Sequence, residues 1–232
     1  MINSLWISKT GMQAQQTQLD VISNNMANVS TNGFKRASAV FEDLMYQNLR
    51  QVGAAADEQN QLPTGLQLGL GVRTVATNRQ FTQGSLQQSG NQLDLAVNGV
   101  GFLQVTMPDG TTAYTRDGSL QVDANGRLVT SGGLPIAGDI TVPAEAQNVT
   151  ISADGIVTAK LPGNPDPQQI GNIELASFVN PAGLEPLGQN LYAETVASGI
   201  HNTGAPGTAG LGNLMHGYVE TSNVHVVQEL VS

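Results

Sequence analysis

Two histidines and a glutamate near the end of the chain are the residues best suited to hold a metal ion. His216, Glu220 and His225 would supply two imidazoles and one carboxylate, which are common zinc ligands. Their spacing matches no familiar metal motif, and the chain contains no cysteine that could complete one. We therefore expect a structural or solvent-exposed role for all three residues, and no metal site.

Two further patterns resemble ligand-binding loops without completing them. The glycine-rich stretch at residues 65–71 lacks the Lys-Ser/Thr pair that follows in a phosphate-binding loop. Residues 123–126, Asp-Ala-Asn-Gly, resemble the start of a calcium loop, but no bidentate glutamate follows at the needed distance. A hairpin turn is the better interpretation. No Ser-His-Asp or Cys-His set is suggested either, so we predict no cofactor and no enzymatic activity.

The composition argues against several classes of protein. The formal charge of −9 leaves no basic patch with which to neutralise the phosphates of nucleic acid. Hydrophobic residues make up 40% but aromatic residues only 4%, which favours thin aliphatic cores over a large globular enzyme. No run approaches ~18 apolar residues, and the first residues hold one cation, Lys9, without a continuous apolar core. We expect neither a membrane span nor a cleavable signal peptide.

An amphipathic helix is predicted at the start of the chain, capped by Asn3 or Ser4 and ended by the Asn32-Gly33 turn. Its apolar residues recur seven apart, with companions three residues later, which is the spacing of a coiled-coil seam. The seam consists of Leu5, Met12, Leu19, Ile22, Met26 and Val29. Two interpretations stay open: an amphipathic helix that packs on its own domain, or a helix that packs laterally against copies of itself.

The middle of the chain changes its period. Between Phe34 and Leu49 apolar residues recur at three- and four-residue steps, which predicts a short helix. Residues 53–61 have no apolar anchor and are expected to form a loop, or a segment that becomes ordered only on assembly. From about Leu68 the period is two.

Short strands separated by turns predict an all-β domain for the rest of the chain. The expected turns lie at residues 98–99, 108–110 and 123–126, the first of them joining a strand pair. Near the end, Ser222 or Asn223 is placed to cap a second helix.

The end of the first helix carries a signature more specific than any single short motif. Its positions are Asn24, Asn25, Ala27, Asn28, Thr31, Gly33, Phe34 and Lys35. They resemble the motif that closes the first helix of the bacterial flagellar axial proteins, the rod and hook family. The resemblance covers essentially the whole chain and includes residues 93–102 and 114–118. It also includes a C-terminal signature formed by Gly217, Glu220, Ser222, Asn223 and Val224.

The resemblance implies an α+β fold in which terminal coiled-coil helices flank an all-β domain. The expected parts are an inner-tube helix at 1–33, a connector at 34–70 with a short helix and an extended rod-type segment, an all-β outer domain at 71–197, and a return segment at 198–232. That last segment is expected to begin a C-terminal helix that is truncated, which would impair self-assembly of this chain.

Within the family, Trp6 and the segment from Phe41 to Pro63 make the chain most similar to the distal rod members. The resemblance implies a structural subunit that self-assembles into a helical tube, the drive shaft that transmits torque from the motor to the hook. The implied partners are copies of itself, proximal rod proteins, the hook protein, basal-body ring proteins and the flagellar type III export apparatus. The implied location is the flagellum basal body, spanning the periplasm. Two alternatives stay open: a secreted binding module with a coiled-coil stalk and a β head, or another axial protein of the proximal rod or hook.

Overall fold

A computed structural model describes residues 2–50, 65–163 and 166–231. The chain divides into two units. The helix–ribbon unit comprises Met1–Met26 and Ala37–Arg79, and the β unit comprises Ala27–Arg36 and Gln80–Ser232. The segment at 53–61, predicted to be a loop or to order on assembly, lies outside the described residues.

The helix–ribbon unit contains the predicted first helix and two short antiparallel ribbons. Helix α1 spans Ile2–Ala27. Strand β1 (Ala37–Asp43) pairs with β4 (Val72–Arg79), and β2 (Tyr46–Arg50) pairs with β3 (Leu66–Gly69). The helix is therefore confirmed, with different ends. It begins at Ile2, so Asn3 and Ser4 lie inside it instead of at its N-cap, and it ends at Ala27, before the predicted Asn32-Gly33 turn.

The short helix predicted between Phe34 and Leu49 is wrong, because this segment forms β1 and β2. The helical spacing runs across two strands and the connection between them, so its members never share one face. Met45 in that connection is 81% exposed and Leu49 is 59% exposed. Aromatic and β-branched residues favour strands when no common buried face is available, and the cross-strand pairing with β3 and β4 prevails.

The β unit consists of short strands and one short helix. The strands are β5 (Leu86–Gln88), β6 (Leu95–Asn98), β7 (Phe102–Thr106), β8 (Thr112–Thr115), β9 (Leu120–Val122), β10 (Leu128–Thr130), β11 (Asn148–Ile151), β12 (Ile156–Lys160), β13 (Gln168–Asn172), β14 (Leu175–Ser177), β15 (Glu185–Gly188), β16 (Leu191–Ala193), β17 (Asn202–Gly204), β18 (Asn213–His216) and β19 (Tyr218–Glu220). Helix α2 spans Val226–Val231. Together with α1, these elements confirm the α+β class.

The largest sheet of the β unit has six strands in the order β15-β16-β8-β7-β14-β17. A three-stranded sheet follows the order β11-β12-β13, and β9–β10, β6–β18 and β5–β19 form separate pairs. Every one of these pairings is antiparallel. None of the helices in the described residues is both long and apolar enough to cross a membrane.

The predicted turns have mixed outcomes. The turn at 123–126 joins β9 to β10 as a hairpin, with Asp123 and Arg127 paired across it, and the turn at 108–110 joins β7 to β8. The strand pair predicted around residues 98–99 is wrong. The flanking strands exist, but β6 pairs with β18 and β7 pairs with β8, because Val100 O accepts the amide of Gly212 instead of closing a hairpin.

The core of the β unit has an aliphatic part and an aromatic part. The aliphatic cluster includes Leu103, Val157 and Leu175, all 0% exposed. The aromatic cluster gathers Phe102, Tyr114, Phe178 and Tyr192, with Phe81 packed against it. Its rings meet edge to face, the arrangement that aromatic pairs favour. Five of the chain's ten aromatic residues thus lie in one cluster.

The predicted capping of α2 by Ser222 or Asn223 is wrong, because α2 begins later, at Val226. The carbonyl of His225 instead accepts the amides of Gln228 and Glu229 in the first turn of the helix. Ser222 Oγ accepts the amide of Val224, and Asn223 makes contacts away from the helix. The polar side chains that resemble caps therefore serve another purpose.

Candidate functional site

Lys35 and Glu220, one from each signature, form an ion pair inside the β unit. Lys35 Nζ lies 2.6 Å from Glu220 Oε1, and both side chains are 0% exposed. Lys35 Nζ also donates to the carbonyl of Thr82 at 2.8 Å, and the amide of Gly84 donates to the same glutamate oxygen at 2.9 Å. Because both charges are removed from water, loss of Glu220 would leave the Lys35 amine buried without its counter-charge.

Arg116 adds a second cation to this pair. Its Nη1 lies 3.5 Å from Glu220 Oε2, and the arginine side chain is 5% exposed. Nη1 donates to the carbonyl of Val97 at 3.2 Å, and Nη2 donates to the carbonyl of Gly99 at 2.6 Å. These bonds hold the chain after β6 in place, so Arg116 belongs to the β unit's framework while it faces the glutamate.

Burial changes the pKa values of the two cations in this cluster. It lowers the pKa of the Lys35 amine, an effect that the neighbouring Glu220 opposes and the like charge of Arg116 reinforces. Burial likewise lowers the pKa of Arg116, again opposed by Glu220. The single carboxylate therefore favours the charged forms of two cations that the interior disfavours.

A second ion pair lies next to the first along the chain. Arg36 Nε donates to Glu229 Oε1 of α2, whose side chain is 1% exposed. The Arg36 amide donates to Asn223 Oδ1 at 2.7 Å, and the Asn223 side-chain amide donates to the carbonyl of Gln80 at 2.8 Å. We call Lys35, Arg36, Arg116, Glu220 and Glu229 the terminal clamp. It joins the N-terminal signature to the C-terminal segment.

Gly33 fits the turn before the clamp for two reasons. Its φ is +70°, a left-handed conformation that glycine adopts without strain. A Cβ atom at this position would lie 2.7 Å from the backbone of Arg116 and Asp117. The Gly33 amide donates to the carbonyl of Glu220 at 2.8 Å, so the turn is bound directly to β19.

The remaining signature positions have mainly local roles. Asn25, 1% exposed, donates to the carbonyl of Ala37 at 2.8 Å and accepts the amide of Ala37 at 3.0 Å, which joins α1 to β1 within the helix–ribbon unit. Thr31 donates to the Asn28 side chain, and Phe34 is buried. In the C-terminal signature, Gly217 has a φ of +74° and Val224 is buried.

Five of the six seam residues lie on α1, Val29 lies just after its end, and the six fall into two groups by exposure. Leu5, Met12 and Leu19 are 71%, 67% and 61% exposed, whereas Ile22, Met26 and Val29 are half-buried. The single chain does not confirm the predicted coiled coil. It does show that the first part of the seam is an apolar stripe open to solvent.

The three residues considered as metal ligands are separated by their contacts. His216 Nε2 donates to the carbonyl of Gln92, Glu220 belongs to the clamp, and His225 is exposed. Among the described residues no group of three or more His, Cys, Asp and Glu is placed to hold a metal ion. The structural role expected for Glu220 is confirmed by its ion pairs.

Sequence reasoning placed Lys35 and Glu220 in signatures but missed that they pair, and it did not single out Arg36, Arg116 or Glu229. One feature could have pointed to the clamp: Lys35 and Arg36 are the only adjacent cations in a chain with 12% charged residues. Two neighbouring cations after a buried Phe34 call for anionic partners nearby. Nothing local identifies those partners, which lie 185 and 193 residues away.

Comparison with known proteins finds two family models that match parts of the chain, and several relatives that match along its full length. Residues 5–35 match the family described as flagella basal body rod protein, and residues 96–159 match the D1 domain of the flagellar hook protein FlgE/F/G. The first match covers the exposed seam and the turn, and the second covers β6 to β12.

The relatives carry names from the same system. The flagellar basal-body rod protein FlgG of Buchnera aphidicola subsp. Schizaphis graminum is 56% identical over 232 residues, which are 100% of this chain and 89% of that protein. The protein of the same name from Borreliella burgdorferi is 44% identical over 234 residues, covering 100% of this chain and 88% of that protein. The flagellar hook protein FlgE of Helicobacter mustelae is 43% identical over 141 residues, covering 60% of this chain and 31% of that protein.

Proposed function

Because the chain belongs to the FlgG family of flagellar basal-body rod proteins, we propose that it is a structural subunit of the distal rod and assembles with copies of itself into the drive shaft of the flagellum. The observation that carries this proposal is identity of 44% or more to rod proteins along 100% of the chain. The protein acts at the flagellum basal body, together with other rod components. Its role is mechanical: each subunit passes torque to its neighbours.

The exposed stripe on α1 supports the assembly part of this proposal. Burying large apolar side chains is favourable by roughly 25 cal/mol for each Å² of apolar surface removed from water, so leaving them exposed on a helix forgoes that stabilisation. Leu5, Met12 and Leu19 lie seven residues apart, so they form one continuous stripe along the helix. A tube of packed helices would cover such a stripe on every subunit. The seam Leu5, Met12, Leu19, Ile22, Met26 and Val29 is thus our proposed self-assembly surface.

The finer assignments follow from the family and are part of the proposal. Proximal rod proteins, the hook protein and the basal-body rings are the expected neighbours, and the flagellar type III apparatus is the expected export route, without a cleaved signal peptide. The rod would cross the periplasm. We retain the division into inner-tube helix, connector, outer β domain and return segment. The ordering of residues 53–61 against a neighbouring subunit stays a prediction.

A charge on the seam tests the assembly surface. Leu19→Asp would place a carboxylate at the same position of every packed copy, where burial without a partner costs several kcal/mol. When this variant is produced in a bacterium that lacks its own FlgG-type subunit, we expect folded subunit but no distal rod. Electron microscopy of isolated basal bodies and a motility assay give the readout.

Gln13→Asp is the matched control, because it adds the same charge to the same helix at an exposed position outside the seam. We expect this variant to build rods. Normal rods with Leu19→Asp would refute the seam assignment, and loss of rods with both variants would refute its specificity.

A further inference from the structure

The terminal clamp brings four separate stretches of the β unit to one side chain. Glu220 accepts the Gly33 amide on its backbone oxygen, and Lys35 Nζ and the Gly84 amide on Oε1. Its Oε2 faces Arg116. Such a buried polar network stabilises the fold only when its contacts are complete. If some contacts are lost, the free-energy cost of removing the charges from water remains, while part of their mutual attraction is gone.

The second ion pair connects the same stretches again. Arg36 follows Lys35 directly, so its side chain cannot keep its partner Glu229 if the segment bearing Lys35 moves away. Its amide is also bound to Asn223, three residues after Glu220. Breaking the contacts of Glu220 would therefore displace Arg36, and breaking the Arg36–Glu229 ion pair would displace Lys35.

The contacts of the clamp differ in kind from those of the apolar core. Lys35, Arg36, Glu220 and Glu229 are held by ion pairs and by hydrogen bonds to backbone and side-chain groups. Arg116 is the clamp residue attached to the core, through the carbonyls of Val97 and Gly99 and through its guanidinium 5.5 Å from the centre of the Phe102 ring. When the clamp opens, the contacts between Glu220 and its partners would break, and Arg116 would stay in place on the core.

We propose that Glu220 is the positioning residue of a conformational coupling device: the turn at 33–36 and the segment at 220–229 close on the β unit together and open together, while the sheet beneath stays folded. The inference goes beyond the rod assignment and does not depend on it.

Hydrogen exchange of the purified chain tests this coupling. The reporters are the hydrogen-bonded amides of Gly33, Arg36, Gly84, Thr221 and Glu229. In Glu220→Gln, which keeps the shape but removes the charge, we expect all five amides to exchange at least about a hundredfold faster and by a common factor. The core amides of Gln104 and Tyr114, paired between β7 and β8, should be unchanged.

A second variant perturbs the other ion pair of the clamp. Arg36→Gln breaks the pair with Glu229, and we expect the same five amides to accelerate together, by a smaller common factor since this pair is partly exposed. It also supplies the measurement if Glu220→Gln does not fold. Asp123→Asn, which breaks the exposed pair with Arg127, is the control and should leave the reporters unchanged.

Two results would overturn the proposal. If each variant accelerates only the amides beside its own substitution, the two ends are not coupled. If Gln104 and Tyr114 accelerate by the same factor as the reporters, the clamp opens only with global unfolding.

Discussion

The helix–ribbon unit and the β unit treat their apolar residues in opposite ways. In the helix–ribbon unit, Leu19 of α1 is 61% exposed and Leu66 of β3 is 54% exposed, whereas Leu103 and Leu175 of the β unit are 0% exposed. Leucine is equally apolar in both places. The difference shows that the β unit buries a hydrophobic core within one chain, although Val179 and Ile200 on its surface stay exposed, while the helix–ribbon unit leaves many of its large apolar side chains open for further molecules to cover.

The contrast also concerns the kind of element. Isolated helices and two-stranded ribbons are marginal in water, since neither can bury enough surface to offset the ordering of its backbone. The six-stranded sheet of the β unit contributes Leu103 and Leu175 to the aliphatic cluster and Phe102 and Tyr114 to the aromatic cluster. We infer that the β unit provides the stability of the free subunit, and that the helix–ribbon unit contributes after assembly.

The largest effect expected from this contrast comes from a matched pair of truncations. Leu103→Ala removes a fully buried side chain and should cost about 2–5 kcal/mol of unfolding free energy, because the cavity closes only partly. Leu19→Ala makes the same chemical change on exposed α1, where the expected change is within about 0.5 kcal/mol. Urea unfolding of the purified chain, followed through the tyrosines of the β unit, measures both. Equal losses would mean that α1 is as much a part of the stable fold as the sheet.

A smaller, pH-dependent effect sharpens the account of the β unit. Burial raises the pKa of Asp117 above its ordinary 3.8, although Ser119 donates to the carboxylate. Between the unfolded and the folded pKa the native state binds more protons, so this group's contribution to stability falls as the pH rises through that window. Asp117→Asn keeps the acceptor for Ser119 without the charge. We expect it to raise stability slightly at neutral pH and to have no such effect below the unfolded pKa.

The contribution of Asp109 to stability should change with pH in the opposite direction. Its bonds from Thr111 lower the pKa of this exposed carboxyl, so its contribution to stability is present above the unfolded pKa and is lost as the pH falls through the folded one. Asp109→Asn should therefore lower stability slightly at neutral pH. Urea unfolding at neutral and acidic pH measures both variants, and the same sign for the two would contradict the role assigned to burial.

Much of the fold could be predicted from local sequence patterns. The heptad spacing from Leu5 to Met26 predicts α1, and Asp-Ala-Asn-Gly at 123–126 predicts the hairpin between β9 and β10. Both succeed because the information lies within a few residues. The prediction for 34–49 fails because apolar spacing cannot show that the chain bends between β1 and β2, and that pairing with β3 and β4 prevails.

The site was predictable only in part, for a related reason. The resemblance indicated that Lys35 and Glu220 matter, but their contact joins residues 185 positions apart. The pairing of β6 with β18 is of the same kind, and the turn at 98–99 contains nothing that indicates it. Long-range polar contacts depend on how the sheets are arranged, which neither periodicity nor turn chemistry specifies.

Thiol labelling of the seam tests the central claim most directly, namely that α1 leaves its apolar stripe open in the free subunit and covers it in the rod. The chain has no cysteine, so Met12→Cys introduces a single reactive group at a position that is 67% exposed. We predict rapid labelling of the free chain and almost none in rods isolated from cells, while Gln13→Cys, outside the seam, labels more readily in the rods than Met12→Cys does. Equal labelling of Met12→Cys in the free chain and in the rods would contradict the account.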